Sequence, residues 1–216
     1  GNNSAETVVR KSVMTAKTSE NLVCEKFVET KEDTEGRLQS IKFKNTETFN
    51  FGFDIVDKIA EKYPDKLAML HLDKNKVERR FTFRDIKRAS NQVANYFTSL
   101  GIKKGDKVML VLKRHYEFWF CMVALHKLGA VAIPATNQLK QHDFEYRYTS
   151  AGVKAIVCTA DGDTYTYAQS AAQKCPQVER LLMVGGCKDG WLDFDKEYQL
   201  FSAHYYRNEE TSCGND

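Results

Sequence analysis

A threonine and two amides, Thr136, Asn137 and Gln138, follow directly on the run A-V-A-I-P-A (130–135). Their chemistry is set by that position. A short apolar run of this kind reads as a parallel strand, and in open α/β sheets ligands bind in the crevice outside the carboxyl ends of the strands. A hydroxyl and two carboxamides placed there can hydrogen-bond a polar ligand without bringing a charge. The same residue types also suit an ordinary loop, in which Thr136 and Asn137 simply bond the local turn.

Other chemistries lack their required spacing. No glycine-rich turn joins a strand to a helix in the order that presents backbone N–H groups to a phosphate. G-I-K-K-G (101–105) follows a helical pattern and precedes a strand, the wrong order for a P-loop, and reads as a tight turn. Gly185-Gly186 does follow a strand, but C-K-D-G after it does not complete a dinucleotide fingerprint. There is no G-x-S-x-G elbow and no H-E-x-x-H. His71, His115, His126, His142 and His204 have no partner at ligand spacing, and His115 and His126 bracket an apolar helix as boundary residues. Asp161-Gly162-Asp163 has too few acidic positions for a calcium loop and reads as a strand-end turn. Tyr116, Phe118, Trp119 and Phe120 lie on an almost wholly apolar helix and read as core rather than as a stacking platform.

The elements that position these residues follow from periodicity. Residues 1–20 mix polar and charged types with little pattern and read as a disordered tail. Residues 21–50 read as a weakly ordered lead-in, with a short helical candidate at Leu22, Val23, Lys26 and Phe27. Ile55, Val56, Ile59, Ala60 and Tyr63 then form one face of a helix that Pro64 ends. Runs 67–72 and 77–83 flank a polar turn and predict an antiparallel hairpin. Thr82 can cap a helix with Asp85 three residues on, and Gly101 ends it. Strands at 107–112, 130–135, 154–159 and 180–184 then alternate with helices at 115–128, 142–151 and 165–175, and a last helix is predicted over 194–207. Such alternation signals an α/β fold: a mostly parallel sheet flanked by helices, with a preceding helix and β-hairpin. V-M-L-V-L and A-I-V-C are unbroken apolar runs, as expected of strands covered on both faces. Residues 208–216 form a polar end.

Composition bounds the class. The 32 basic and 29 acidic side chains among 216 residues give a net charge of +3, too even to supply the field that nucleic-acid backbones require. The longest apolar run, 118–125, is far shorter than the ~20 residues of a membrane span. No apolar stretch within 1–20 could form a signal-peptide core, so export is not expected. The six cysteines, Cys24, Cys121, Cys158, Cys175, Cys187 and Cys213, include no C-x-x-C pair, which removes the zinc and dithiol readings. Cys121 and Cys158 sit in apolar segments as small hydrophobes, and the expectation is a reduced, cytoplasmic chain.

Four segments together carry a family likeness: F-T-F-R-D-I-K-R-A-S (81–90), G-I-K-K-G-D-K-V-M-L-V-L-K-R (101–114), E-F-W-F (117–120) and H-K-L-G-A-V-A-I-P-A-T (126–136). The series resembles the N-terminal part of AMP-forming acyl-CoA synthetases, within the adenylate-forming superfamily. D-G-W-L-D-F (189–194) points to the acetyl- and medium-chain acyl-CoA ligases among them. The resemblance spans about 21–216 and implies that 51–207 is the N-terminal subdomain of the adenylate-forming fold.

That resemblance implies an enzyme that activates a carboxylic acid with MgATP to an acyl-adenylate and then transfers the acyl group to CoA. A loop of the type T-S-G-T-T-G-x-P-K, which grips the ATP phosphates in that family, is absent from the 216 residues. The family's later adenine, ribose and Mg²⁺ motifs and its C-terminal catalytic lysine are absent too. The expectation is an N-terminal fragment that forms no adenylate by itself and binds none of ATP, Mg²⁺ or CoA tightly. Gln138 matches a position where medium-chain members carry a glutamine that touches CoA, whereas the pair Asn137-Gln138 departs from acetyl-type relatives and leaves the subgroup open. Thr136 and Arg114 complete the cofactor-binding candidates; Arg114 lies just past a strand, where it could attract a CoA phosphate or serve as a solvated helix-start residue. The partners implied are the remaining subdomains of the parent enzyme, a small carboxylic acid and CoA, with self-association through exposed apolar surface. The rival readings are a non-catalytic flavodoxin-like module that binds a nucleotide or CoA through 134–138, and a structural interaction domain.

Overall fold

The computed structural model describes residues 23–208, which fall into two units, 23–49 and 50–208. The tail read over 1–20 and nearly all of the polar end lie outside the described residues.

The first unit corrects the lead-in reading. A 3₁₀ turn at Val23–Lys26 precedes two antiparallel strands, β1 (Val28–Glu32) and β2 (Leu38–Phe43). Asp33 makes the hairpin: its Oδ1 accepts the N–H groups of Glu35 and Arg37, each at 2.9 Å, and Gly36 takes φ +79°. The short helical candidate meets the 3₁₀ turn at Val23–Lys26, while the Asp-plus-Gly turn chemistry was the signal for the hairpin that the lead-in reading passed over.

The second unit opens on Asn50, whose Oδ1 accepts the Phe53 N–H at 3.2 Å. A π-helical turn, Phe51–Asp57, runs into α1 (Lys58–Lys62), where one regular helix was expected. The turn packs closely: a Cβ on Gly52 would stand 2.6 Å from Lys127 Cγ, so it closes on its neighbour only as glycine. The strands β3 (Leu67–Leu72) and β4 (Glu78–Thr82) pair antiparallel, as the polar turn between them predicted. Thr82 then caps α2 (Phe83–Ser99) in a full capping box: its hydroxyl accepts from Asp85 N–H while the Asp85 carboxylate accepts from Thr82 N–H.

Alternation follows as read. The order is β5 (Lys107–Val111), α3 (Glu117–Leu128), β6 (Val131–Pro134), α4 (Gln141–Ala151), β7 (Val153–Thr159), α5 (Thr164–Lys174), β8 (Arg180–Val184), β9 (Leu192–Asp193) and α6 (Phe194–Glu197). The five strands form one parallel sheet in the order β6-β5-β7-β8-β9. Side chains alternate across it and build a core on each face. Val108, Leu110, Ala155, Val157, Leu182 and Val184 meet α2, α3 and α6 on one side. Met109, Val111, Ile156, Cys158 and Met183 meet α4 and α5 on the other.

Two further expectations are corrected. Trp119 is 52% exposed, because α3 turns its Phe120, Cys121, Ala124 and Leu125 face inward and leaves Trp119 outside. The last helix stops early: α6 gives way to a 3₁₀ turn, Tyr198–Leu200, and an irregular strap to Asn208. Side chains of α2 replace the missing helical bonds. Asn91 donates to the Ala203 carbonyl, Gln92 to those of Gln199 and Phe201, and Asn95 to those of Ser202 and His204.

Candidate functional site

A cleft of about 820 Å³ opens in the second unit where β5, β6 and β7 end. Lys113, Arg114, His115, Tyr116 and Glu117 line it from the β5–α3 connection, Asn137 from beyond β6 and Asp161 from beyond β7. The β3–β4 hairpin adds His71, Lys74 and Arg79. This is the strand-end position argued for the 136–138 loop.

The cleft sorts the candidates. Arg114 stands in its wall with an exposed guanidinium, and its backbone carbonyl accepts from His71 Nε2 at 2.8 Å. Thr136 and Gln138 are exposed and do not line it, while Asn137 between them does. The Thr136 hydroxyl accepts the Gln138 N–H at 3.2 Å, and the Asn137 carbonyl accepts from the Thr164 hydroxyl at 2.5 Å, which fixes the loop to the start of α5. No group of three or more His, Cys, Asp or Glu among the described residues could hold a metal ion.

The floor carries residues the motif search set aside. His115 Nε2 lies 2.8 Å from the Thr159 hydroxyl and 3.9 Å from Asp161 Oδ2, and its Nδ1 lies 4.0 Å from Glu117 Oε2. Burial holds His115 below the usual histidine range, against the pull of Asp161 and Asp195. Glu117 is only 6% exposed, and burial, with Asp195 beside it, pushes its carboxyl up to about 7. Burial, with Glu117 adjacent, pushes the Tyr116 phenol up to about 12. The described residues hold three buried side-chain atoms without a hydrogen-bond partner: His71 Nδ1, Glu117 Oε2 and Asp195 Oδ1. The first two belong to cleft-lining residues. The strand-end rule that selected 136–138 applies equally to H-Y-E (115–117) after β5, and that was the available signal. Asp195 has no comparable signal, since the sheet order alone carries it to Glu117.

Elsewhere the glycine turns fall as read, with φ +83° and +82° at Gly101 and Gly105 and +80° at Gly185. Cys121 and Cys158 are fully buried free thiols. No helix among the described residues is long and apolar enough to cross a membrane.

Comparison with known proteins adds the family. Residues 56–208 match the family described as AMP-binding enzyme. The chain is 33% identical over 166 residues to the mitochondrial acyl-coenzyme A synthetase ACSM5 of Rattus norvegicus, covering 74% of this chain and 28% of the relative. It is 32% identical to ACSM3 of Mus musculus over 73% of this chain and 28% of that protein. It therefore spans little more than a quarter of the curated relatives it matches. The crystal structure of the anthranilate CoA ligase AuaEII with anthranoyl-AMP shares the fold at a TM-score of 0.66 and 22% identity, over 76% of this chain and 30% of that one. The Brucella canis acyl-CoA synthetase does so at 0.64 and 19%, with the same coverage. Four sequence segments, a parallel sheet of matching form and a family match over most of the described residues lead to one conclusion: this chain belongs to the AMP-binding enzyme family.

Proposed function

We propose that these residues are the N-terminal subdomain of an acid–CoA ligase, forming one wall of the cleft in which a carboxylic acid is adenylated and passed to CoA. One observation carries the reading: the cleft lies at the carboxyl ends of β5, β6 and β7, with Lys113 and Arg114 on its rim, in a chain whose curated relatives are acyl-CoA synthetases. In the whole enzyme, MgATP supplies the adenylyl group and CoA the accepting thiol. The part played here is binding. The exposed cations of Lys113 and Arg114 attract the phosphates of CoA, and Gln138 and Thr136 offer neutral hydrogen bonds from the exposed loop after β6, outside the cleft lining. Gripping of the triphosphate falls to residues outside this sequence, so the 216-residue polypeptide forms no adenylate.

Calorimetry with CoA, ATP and FMN on the 216-residue polypeptide tests the reading. Affinity weaker than micromolar for all three is expected; micromolar affinity for any one would favour a self-sufficient binding module. A cytoplasmic location is our reading of the free thiols at Cys121, Cys158, Cys175 and Cys187. The rat and mouse relatives are named mitochondrial, and cell fractionation distinguishes the two compartments.

A further inference from the structure

We propose that a second groove of the 50–208 unit is a nucleotide site, in which a cationic face of α2 meets the phosphates and Tyr206 meets the base. The groove has a volume of about 740 Å³ and shares no lining residue with the cleft. Its walls are the π-helical turn with α1, one face of α2, and the strap. A space of that size holds one small molecule rather than a length of polypeptide.

The charge comes from helical spacing. Arg84, Lys87, Arg88 and Asn91 recur at steps of three and four, so they share one face of α2, and all four line the groove. Like charges at that spacing repel, and the carboxylates at hand answer them poorly. Arg84 meets Asp65 at 3.3 Å with both side chains mostly in water, and Lys87 lies 3.7 Å from Glu61, which Lys58 already holds at 3.0 Å. Arg88 is exposed and has no carboxylate within ion-pair distance among the described residues. On the floor, Asp57 brings no free charge, because Lys127 Nζ holds it at 2.7 Å. Arg207 of the strap is the fifth lining cation and pairs with Asp54 at 2.5 Å. Once Asp57 is matched from beneath, the lining carries as large a positive excess as the +3 of all 216 residues. Such a concentration selects a multiply charged anion.

The strap supplies the ring. Tyr205 lies parallel to Phe53, with 8° between the planes and 6.1 Å between centroids, so its face is taken. Tyr206 lines the groove at 79% exposure and leaves its ring open. Stacking on such a ring accepts any base, which fixes the ligand by class: a planar ring joined to a di- or triphosphate. The two walls are set before a ligand arrives, since Asn91 of α2 donates to the Ala203 carbonyl at 3.0 Å.

Amide NMR titrations of the 216-residue polypeptide with ADP, with pyrophosphate and with adenosine test the site, because only ADP carries both ring and phosphates. ADP should shift the signals of 84–91 and 203–207 along one saturating curve, with half-saturation weaker than micromolar and below about 1 mM. Pyrophosphate and adenosine should each bind there at least about tenfold more weakly. Arg88→Gln and Tyr206→Leu alter exposed side chains and should leave the spectrum folded, and each should weaken ADP at least about fivefold. ADP shifts confined to 113–117 and 137 would place the nucleotide in the cleft and overturn the proposal. Pyrophosphate binding as tightly as ADP, or full ADP affinity in both variants, would overturn it as well.

Discussion

Lys127 is fully buried, yet each of its three ammonium protons has an acceptor: Asp57 at 2.7 Å, Ser90 at 3.0 Å and Asn91 at 2.7 Å. Burial lowers its ionisation to about 8 and raises that of Asp57, so each charge depends on the other. Lys127→Met would strand a buried carboxylate and should cost about 3–5 kcal/mol in urea unfolding. The double variant Lys127→Met, Asp57→Asn should recover part of that loss, because the stranded charge has gone; additive losses would show that the pair is not coupled. Gly185 presents a different kind of constraint. A methyl group there would lie 2.9 Å from His115 Cε1, on backbone at φ +80°. Gly185→Ala should destabilise by about 1–3 kcal/mol and displace the His115 ring, seen as a changed imidazole shift in the NMR spectrum.

Among the elements, α2 organises the second unit from both of its ends. Its capping box fixes the start, and Thr82→Ala should cost about 1 kcal/mol of stability by chemical denaturation, with no change in the m-value. Its far half holds the strap, where Asn91, Gln92 and Asn95 between them bond five carbonyls of 199–204. Asn95→Leu should therefore raise hydrogen exchange and proteolytic cleavage near 202–204 while leaving the sheet protected; unchanged cleavage would show that the strap is held by other contacts. The contrast between these two ends explains what could be read in advance. The capping box, the β3–β4 hairpin and the strands of the parallel sheet were legible because each depends on near neighbours and on periodicity. The strap was not, since its apolar spacing at Phe194, Tyr198 and Phe201 mimics a helix while its carbonyls are claimed by a segment distant in sequence. Positions in the cleft divide the same way: those of Arg114 and Asn137 follow from strands that periodicity shows, whereas the nearness of Glu117 to Asp195 exists only once the strand order is set.

Across the whole molecule, the parallel sheet with a core on each face gives a rigid base, and the cleft is assembled from connections at one end of it. The β3–β4 hairpin leaves Leu67, Leu70, Leu72 and Val77 about half exposed, and Trp119 and Val131 are similarly open. A surface of that kind fits contact with further parts of a larger enzyme, so the isolated polypeptide should self-associate in light scattering and bind a hydrophobic dye. A monodisperse monomer that binds no dye would count against this. The central claim is a division of labour, in which these residues supply a wall of the cleft and the gripping of triphosphate lies elsewhere. Carboxylate-dependent exchange of pyrophosphate into ATP measures that claim most directly, run on the 216-residue polypeptide beside the rat ACSM5 protein at equal concentration with a panel of short and medium-chain acids. The account predicts exchange by the rat protein and none above background by the polypeptide; acid-dependent exchange by the polypeptide alone would contradict it.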